Sequence, residues 1–92
     1  MAANRLPAGR WVEVVDRDRA RCQASAYGFG STEQCRGPNE VHHKILRGLG
    51  GTSDPSIHDL DRLVTLCGRH HMEVHAHPAR ARSCGLIERR TP

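Results

Sequence analysis

The histidines and cysteines of this chain constrain its fold more than any other feature. All seven histidines lie between His42 and His77, and the four cysteines are at positions 22, 35, 67 and 84. Hydrophobic residues make up only 37% of the 92 residues, and just three residues are aromatic. A core this thin needs disulfides, a bound metal ion or oligomerisation to fold stably. We therefore expect one small stapled domain rather than a large enzyme fold or a repeat array.

The cysteines are better suited to metal binding than to disulfides. Four cysteines could form two disulfides in three connectivities. However, residues 1–10 contain no apolar segment typical of an export signal, and no apolar run approaches the ~20 residues that span a bilayer. We expect a cytoplasmic protein with no membrane partner. In that reducing compartment cysteines more often bind metal than form disulfides.

One spacing predicts a structural zinc site. In Cys67-Gly-Arg-His70, two ligands are separated by two residues at a turn that opens a helix, which is half of a tetrahedral zinc site. Cys22 and Cys35, with twelve residues between them, stand at the base of a loop and could supply the other half. We predict a Cys₃His zinc site and interpret Cys84 as a thiol outside it, although exchange of Cys84 for one of the three remains open.

The next histidines predict a second metal. In His71-Met-Glu-Val-His75 the two imidazoles are four residues apart, so on a helix they lie on the same face about 5–6 Å apart. His70 lies about 100° round the helix from His71. The adjacent His70 and His71 should therefore serve different ions.

A third ligand for this second ion comes from the pair His42-His43, which we place on a strand. Neighbouring side chains on a strand point in opposite directions, so one can bind metal while the other acts as a general base. Neutral imidazole near pH 7 is suited to taking a proton from water. The pattern predicts an open-sided hydrolytic metal site. We interpret His58 and His77 as surface or packing residues.

The charge favours a polyanionic partner. The formal net charge is +4, and Lys44 is the only lysine among 14 basic residues. Arginine presents a planar fork that fits phosphate, which favours DNA, although a solvated basic surface is the alternative. The candidates for phosphate contact are Lys44, Arg47, Arg62 and Arg69.

Hydrophobic periodicity and the Gly and Pro positions predict the elements. We expect a flexible arm at 1–9, a domain at 10–86 and a basic tail at 87–92. Within the domain we predict helix 10–19, strand 40–46, a glycine-rich loop 46–55, a short strand or turn at 57–66, a helix from 68 or 69 to 77, and a short helix 79–84.

The joint pattern resembles a known family. It comprises Val41-His42-His43-Lys44, Gly50-Gly51, Leu63-Val64-Thr65-Leu66-Cys67, and then His70, His71 and His75. Over roughly residues 11–85 it resembles the HNH endonucleases, and more narrowly the small zinc-containing HNH proteins of bacteriophages and prophages and the McrA-type nucleases. The resemblance implies an α+β fold of the ββα-metal type, in which two antiparallel strands and a helix surround one catalytic divalent ion, here with an N-terminal helix and a structural zinc.

The resemblance also assigns roles. His43 matches the general base, and the divalent ion (Mg²⁺, Mn²⁺, Ni²⁺ or Zn²⁺) would be bound by His42, His71 and His75. The zinc ligands would be Cys22, Cys35, Cys67 and His70. The middle Asn of the family falls at Arg62, which thereby becomes a catalytic position although Arg cannot accept a hydrogen bond. Asp61 could substitute after a shift of one residue.

The activity implied is hydrolysis of phosphodiester bonds in DNA. The family context implies a bacterial host cell and phage DNA processing or packaging with terminase as a partner. The alternative is a non-catalytic, zinc-dependent DNA-binding module. The intact His43 favours the enzyme, whereas the loss of the middle Asn favours the alternative.

Overall fold

The structure is a computed structural model that describes residues 6–45 and 55–88. The described chain contains two antiparallel strands and three helices, which confirms the predicted α+β class. The elements are α1 (Arg10–Arg17), β1 (Asn39–His43), β2 (Leu63–Cys67), α2 (Gly68–Ala76) and α3 (Pro78–Cys84). The predicted loop at 46–55, apart from residue 55, and the ends of the predicted arm and tail lie outside the described residues.

The two strands form the platform on which the site is built. Asn39 pairs with Cys67 at one end of the ladder and His43 with Leu63 at the other. Every residue of β2 is buried. The outer edge of β2 is also satisfied, because Asp18 Oδ2 accepts from the Thr65 N–H at 2.9 Å and Thr65 O accepts from the Gln23 N–H at 2.9 Å. A covered edge prevents pairing with another chain.

Helix α1 is shorter than the predicted helix 10–19, and one of its residues is buried. It ends at Arg17, and the next turn contains Arg19 and Ala20 at φ of 56° and 57°, outside the helical region. Val14 is its buried residue, whereas Trp11 is 47% exposed. The Arg17 guanidinium donates to Leu60 O and Leu63 O, both at 2.6 Å. The helix is thus held to the start of β2 more by hydrogen bonds than by an apolar stripe.

Helices α2 and α3 meet at Pro78, as the sequence predicted. Pro78 stands in the first turn of α3, where its missing N–H costs nothing. Gly85 ends α3 at φ 92°, a left-handed conformation that favours glycine. The chain then returns to the core through residues 86 and 87, and the Glu88 N–H donates to Lys44 O at 2.9 Å. The packed domain therefore extends two residues beyond the predicted boundary at 86.

Two predicted boundaries change around the strands. The predicted strand 40–46 instead spans Asn39–His43, and the Lys44 N–H beyond its end donates to Arg62 O at 2.9 Å. The predicted strand or turn at 57–66 resolves into two 3₁₀ turns, Pro55–His58 and Leu60–Arg62, followed by β2. The main core cluster is small: Ala24, Phe29, Val64, Leu66, Val74, Ala81, Leu86 and Ile87. In the part of the chain that the structure describes, no helix is long and apolar enough to cross a membrane.

Candidate metal centres and the histidine pair

The predicted zinc ligands come together in one group. Nδ1 of His70 lies 3.4 Å from Cys22 Sγ, 3.6 Å from Cys35 Sγ and 3.3 Å from Cys67 Sγ. A tetrahedral zinc with Zn–S and Zn–N bonds of about 2.3 and 2.0–2.1 Å places nitrogen and sulfur about 3.5 Å apart. The three nitrogen–sulfur distances are therefore those expected around a bound zinc ion.

Local structure explains why these four residues meet. Cys67 is the last residue of β2 and the N-cap of α2, where its Sγ accepts the His70 N–H at 3.3 Å. His70 follows in the first turn of the helix. Cys35 follows a 3₁₀ turn over Thr32–Gln34, and Cys22 follows α1. The loop between Cys22 and Cys35 is thus tied at both ends to the start of α2.

The closeness of the three cysteine side chains also favours a bound cation. Burial, together with the neighbouring Cys67 and Cys22 thiols, raises the pKa of Cys35 to about 12. Burial alone would also raise the pKa of Cys67, but the backbone N–H groups of His70 and Arg36 lower it below the usual value. Three thiolates this close repel one another, so all three ionise only with a cation between them. Burial lowers the pKa of His70, which keeps its ring neutral and able to bind metal.

Cys84 does not join this group. Its Sγ donates to Ala81 O at 3.4 Å, and its side chain packs against the core cluster. The interpretation of Cys84 as a separate thiol is confirmed.

The far nitrogen of His70 faces a narrow space below Gly30. Nε2 of His70 is buried and has no hydrogen-bond partner among the described residues. A Cβ on Gly30 would lie 2.7 Å from this nitrogen and 2.8 Å from Gln34 Oε1. The absence of a side chain at position 30 leaves room beside a ring that a zinc ion would hold in place.

We expect Gly30→Ala to weaken zinc binding and Gly28→Ala to be its matched control. Both glycines are left-handed, at φ 77° and 78°, so each alanine carries a similar backbone cost of about 1–2 kcal/mol. Only at position 30 does the new methyl group press on His70, since nothing lies within 4 Å of a Cβ on Gly28. Zinc release to a chelator should be faster, and the melting temperature lower, for Gly30→Ala than for Gly28→Ala. Equal losses in the two variants would show that the space beside His70 is irrelevant.

The second predicted ligand set is also assembled. His42 on β1 and His71 and His75 on α2 each offer a nitrogen, and these nitrogens lie within 4.8 Å of one another. The His42 ring centroid is 5.1 Å from that of His71 and 5.8 Å from that of His75. The adjacent His70 and His71 belong to different groups, as the helical geometry predicted.

Two of these three rings are oriented by a bond to their other nitrogen. Nε2–H of His42 donates to Leu86 O at 2.6 Å, and Nδ1–H of His71 donates to Glu40 Oε1 at 2.5 Å. In the neutral rings the lone pairs are then on Nδ1 of His42 and Nε2 of His71. Hydrogen bonds of this kind, made by the nitrogen that does not bind the ion, are typical of histidines that bind metal.

The protonation of this group is suited to binding a cation. Burial lowers the pKa of His42 to about 4, with smaller contributions from the positive charges of His71, His75 and His43. The same effects, burial and His71, lower the pKa of His75. Nδ1 of His42 is buried and has no hydrogen-bond partner among the described residues. These features favour neutral rings with available lone pairs at His42 and His75.

The two groups differ in their access to solvent. In the first, Cys67 and His70 are buried and the other two cysteines are half-buried, and four protein ligands complete a tetrahedron. In the second, His42 is buried but His75 is exposed, and only three protein ligands are present among the described residues. Closed four-ligand sites are typical of structural zinc, whereas catalytic metals keep a position for water or substrate.

The second histidine of the strand pair contacts a residue that the sequence did not single out. Nε2 of His43 lies 3.0 Å from Nδ1 of His58, with ring centroids 5.0 Å apart. One of these nitrogens donates and the other accepts. His58 is only 3% exposed, so of the two expected roles, surface or packing, it takes the packing one, but its contact with His43 was missed. The only signal in the sequence was its membership of the dense histidine segment.

The Arg62 guanidinium contacts Ser56, which precedes His58 by two residues. Its Nη1 donates to Ser56 Oγ at 2.9 Å and approaches Ser56 O at 3.5 Å. Asp61, the suggested substitute, is exposed, and its backbone O accepts from Lys44 Nζ. The guanidinium thus contacts the Pro55–His58 turn that carries His58, and the catalytic role of Arg62 stays a prediction.

Lys44 is corrected as a phosphate contact. It is 9% exposed, its Nζ donates to Asp61 O at 3.0 Å, and the ammonium lies 5.1 Å from the Tyr27 ring centroid. Strand β1 ends just before it, so its side chain turns into the protein. Arg69 remains at the surface, where it pairs with Glu73 at 3.4 Å. Arg47 lies outside the described residues.

Comparisons of this chain with protein-family models, with curated proteins and with solved structures give no significant match. The class that the fold and site define is accordingly a small α+β protein with a Cys₃His group and a three-histidine group, each able to hold a metal ion.

Proposed function

We propose that this chain is a metal-dependent endonuclease of the HNH type that hydrolyses phosphodiester bonds in DNA. The observation that carries the proposal is the three-histidine group with His43 beside it on the same strand. Two strands followed directly by a helix, with ligands on the first strand and on the helix, is the arrangement that the ββα-metal resemblance implies.

The residues divide into two tasks. Cys22, Cys35, Cys67 and His70 would hold a zinc ion that fixes the loop to α2, and this ion takes no part in the reaction. His42, His71 and His75 would hold a divalent ion, which when bound polarises the scissile phosphate and stabilises charge on the leaving oxygen. The exposed position of His75 gives a nucleic-acid strand access to this group.

His43 is the candidate general base. It follows a ligand on β1, so the base is tied to the metal group through the backbone. Its Nε2 contacts His58, and if Nε2 carries the hydrogen, the lone pair is on Nδ1. A neutral imidazole of this kind takes the proton from an attacking water near pH 7.

DNA is the proposed substrate because of the charge of the chain. The net charge is +4, and all basic residues except Lys44 are arginines. Exposed arginines flank the site elements, including Arg69 on α2 and Arg80 on α3. Guanidinium groups bind phosphate in two-pronged fashion. Exposed arginines on a domain that also carries a three-imidazole metal group fit a polyanion whose reacting group is a phosphodiester.

Plasmid cleavage by the wild type, His71→Ala and Met72→Ala tests the proposal. We expect the wild type to relax or linearise supercoiled DNA with Mg²⁺ or Mn²⁺. His71→Ala should abolish cleavage at low metal concentration, because the ion loses one of three ligands, while one zinc per chain is retained. Met72 is the matched control, since it is adjacent on α2 and 63% exposed.

His70→Ala should behave differently from its neighbour. It removes one ligand of the Cys₃His group, so it should lower the zinc content and the melting temperature directly. Activity should fall only as a consequence of that loss of stability. If His70→Ala keeps its zinc while His71→Ala loses it, the two groups have been assigned the wrong way round. If the wild type is folded and binds DNA but does not cut it with any metal tested, the non-catalytic binding module is favoured instead.

A further inference from the structure

His58 lies where it can control the chemical state of His43. The two rings meet through Nε2 of His43 and Nδ1 of His58 at 3.0 Å, a normal hydrogen-bond length. The rings are inclined by 76°, so this is an edge contact rather than stacking. Because both groups are imidazoles, the sense of this hydrogen bond fixes the tautomer of each neutral ring.

Only one direction of this hydrogen bond is compatible with His43 as a base. If Nε2–H of His43 donates to Nδ1 of His58, the lone pair of His43 is on Nδ1. If Nδ1–H of His58 donates instead, the hydrogen of His43 is on Nδ1 and that nitrogen cannot accept a proton. The partner that orients a catalytic histidine therefore decides whether that histidine can act as a base. An enzyme whose histidine is held in the wrong tautomer loses most of its activity.

His58 is held in place by the turn that carries it, while its Nε2 is buried with no hydrogen-bond partner among the described residues. It ends the Pro55–His58 turn, whose Ile57 is 1% exposed. The Arg62 guanidinium holds Ser56 in the same turn through its Oγ at 2.9 Å. His58 itself is buried, so its ring has little room to rotate away from His43.

We propose that His58 is the positioning residue of the general base: its Nδ1 accepts the hydrogen bond from His43 Nε2 and holds His43 in the tautomer that has its lone pair on Nδ1. Arg62 donates to Ser56 in the turn that carries His58, and His58 in turn contacts His43. This inference rests on the proposed nuclease function, in which His43 takes a proton from water.

Three substitutions of His58 separate positioning from packing. An asparagine Oδ1 occupies nearly the same place as histidine Nδ1, so His58→Asn keeps the acceptor. A glutamine carries its amide one carbon further out, so His58→Gln misplaces the acceptor, and His58→Leu removes it. We expect kcat to fall about 10–100-fold in the Leu and Gln variants, the usual cost of losing a partner that orients an active histidine. We expect the Asn variant to stay within a few-fold of wild type, with KM and zinc content similar in all four proteins.

A second measurement does not depend on cleavage. Nitrogen NMR of the ring of His43 in the wild type should show hydrogen on Nε2, and His58→Leu should lose this preference. Hydrogen on Nδ1 of His43 in the wild type would overturn the inference. So would an unchanged kcat in His58→Leu, or equal activity of the Asn and Gln variants if the Leu variant fails to fold. A wild type that holds the Nε2–H tautomer but cuts no DNA would refute the nuclease proposal and leave the contact standing.

Discussion

Cys67→Ser is expected to release the zinc and unfold the domain. Cys67 is one of four ligands, and its Sγ also accepts the first N–H bond of α2. Structural zinc in small domains contributes about 10–16 kcal/mol of apparent binding free energy. A domain of this size has about 5–15 kcal/mol of total stability, so the loss is comparable to all of it.

The measurements for this variant are zinc content and far-UV circular dichroism. Cys84→Ser is the matched control, because Cys84 packs on the core and lies outside the ligand group. It should keep one zinc per chain and a melting temperature close to the wild-type value. A Cys67→Ser protein that stays folded without zinc would show that the Cys₃His group does not stabilise this fold.

His43→Ala is expected to lower DNA cleavage about 100- to 10,000-fold, the usual contribution of a general base. It should leave the zinc content, the occupancy of the three-histidine group and the affinity for DNA almost unchanged, because His43 belongs to neither ligand group. The effect should therefore fall on kcat and not on KM. Single-turnover cleavage of a labelled duplex separates the two quantities.

His77→Ala is the control for removing an imidazole. His77 is exposed and pairs with Glu73 at the surface at 3.4 Å, so its loss should have no effect on cleavage. If His43→Ala cuts DNA as fast as His77→Ala, the proton is taken by another group and the role given to His43 is wrong.

The metal groups could be predicted because they depend on local spacing. Cys-x-x-His at a helix start and His-x-x-x-His within the helix fix directions through helical geometry alone, so the separation of His70 from His71 followed without tertiary information. Likewise, α3 begins at Pro78 and ends at Gly85 because of the backbone preferences of proline and glycine.

The contacts that depend on long-range packing could not be predicted. His58 meets His43 across fifteen residues of chain, and nothing in its neighbours distinguishes it from a buried histidine. Lys44 looked like a surface cation, but the strand ends one residue earlier and its ammonium finds Asp61 O and the Tyr27 ring. Helix 10–19 was predicted two residues too long: α1 ends at Arg17, whose guanidinium donates to Leu60 O and Leu63 O.

The most direct test measures the number of bound metal ions per chain and the cleavage of DNA in the same preparation. Protein treated with a mild chelator to remove weakly bound ions is analysed by native mass spectrometry and by plasmid cleavage while Mn²⁺ is added back. We predict that one zinc per chain is retained, that the treated protein does not cut, and that cleavage returns as one further ion binds per chain. Protein that holds its zinc, keeps its fold and binds DNA, but cuts with none of Mg²⁺, Mn²⁺, Ni²⁺ or Zn²⁺, would contradict the account.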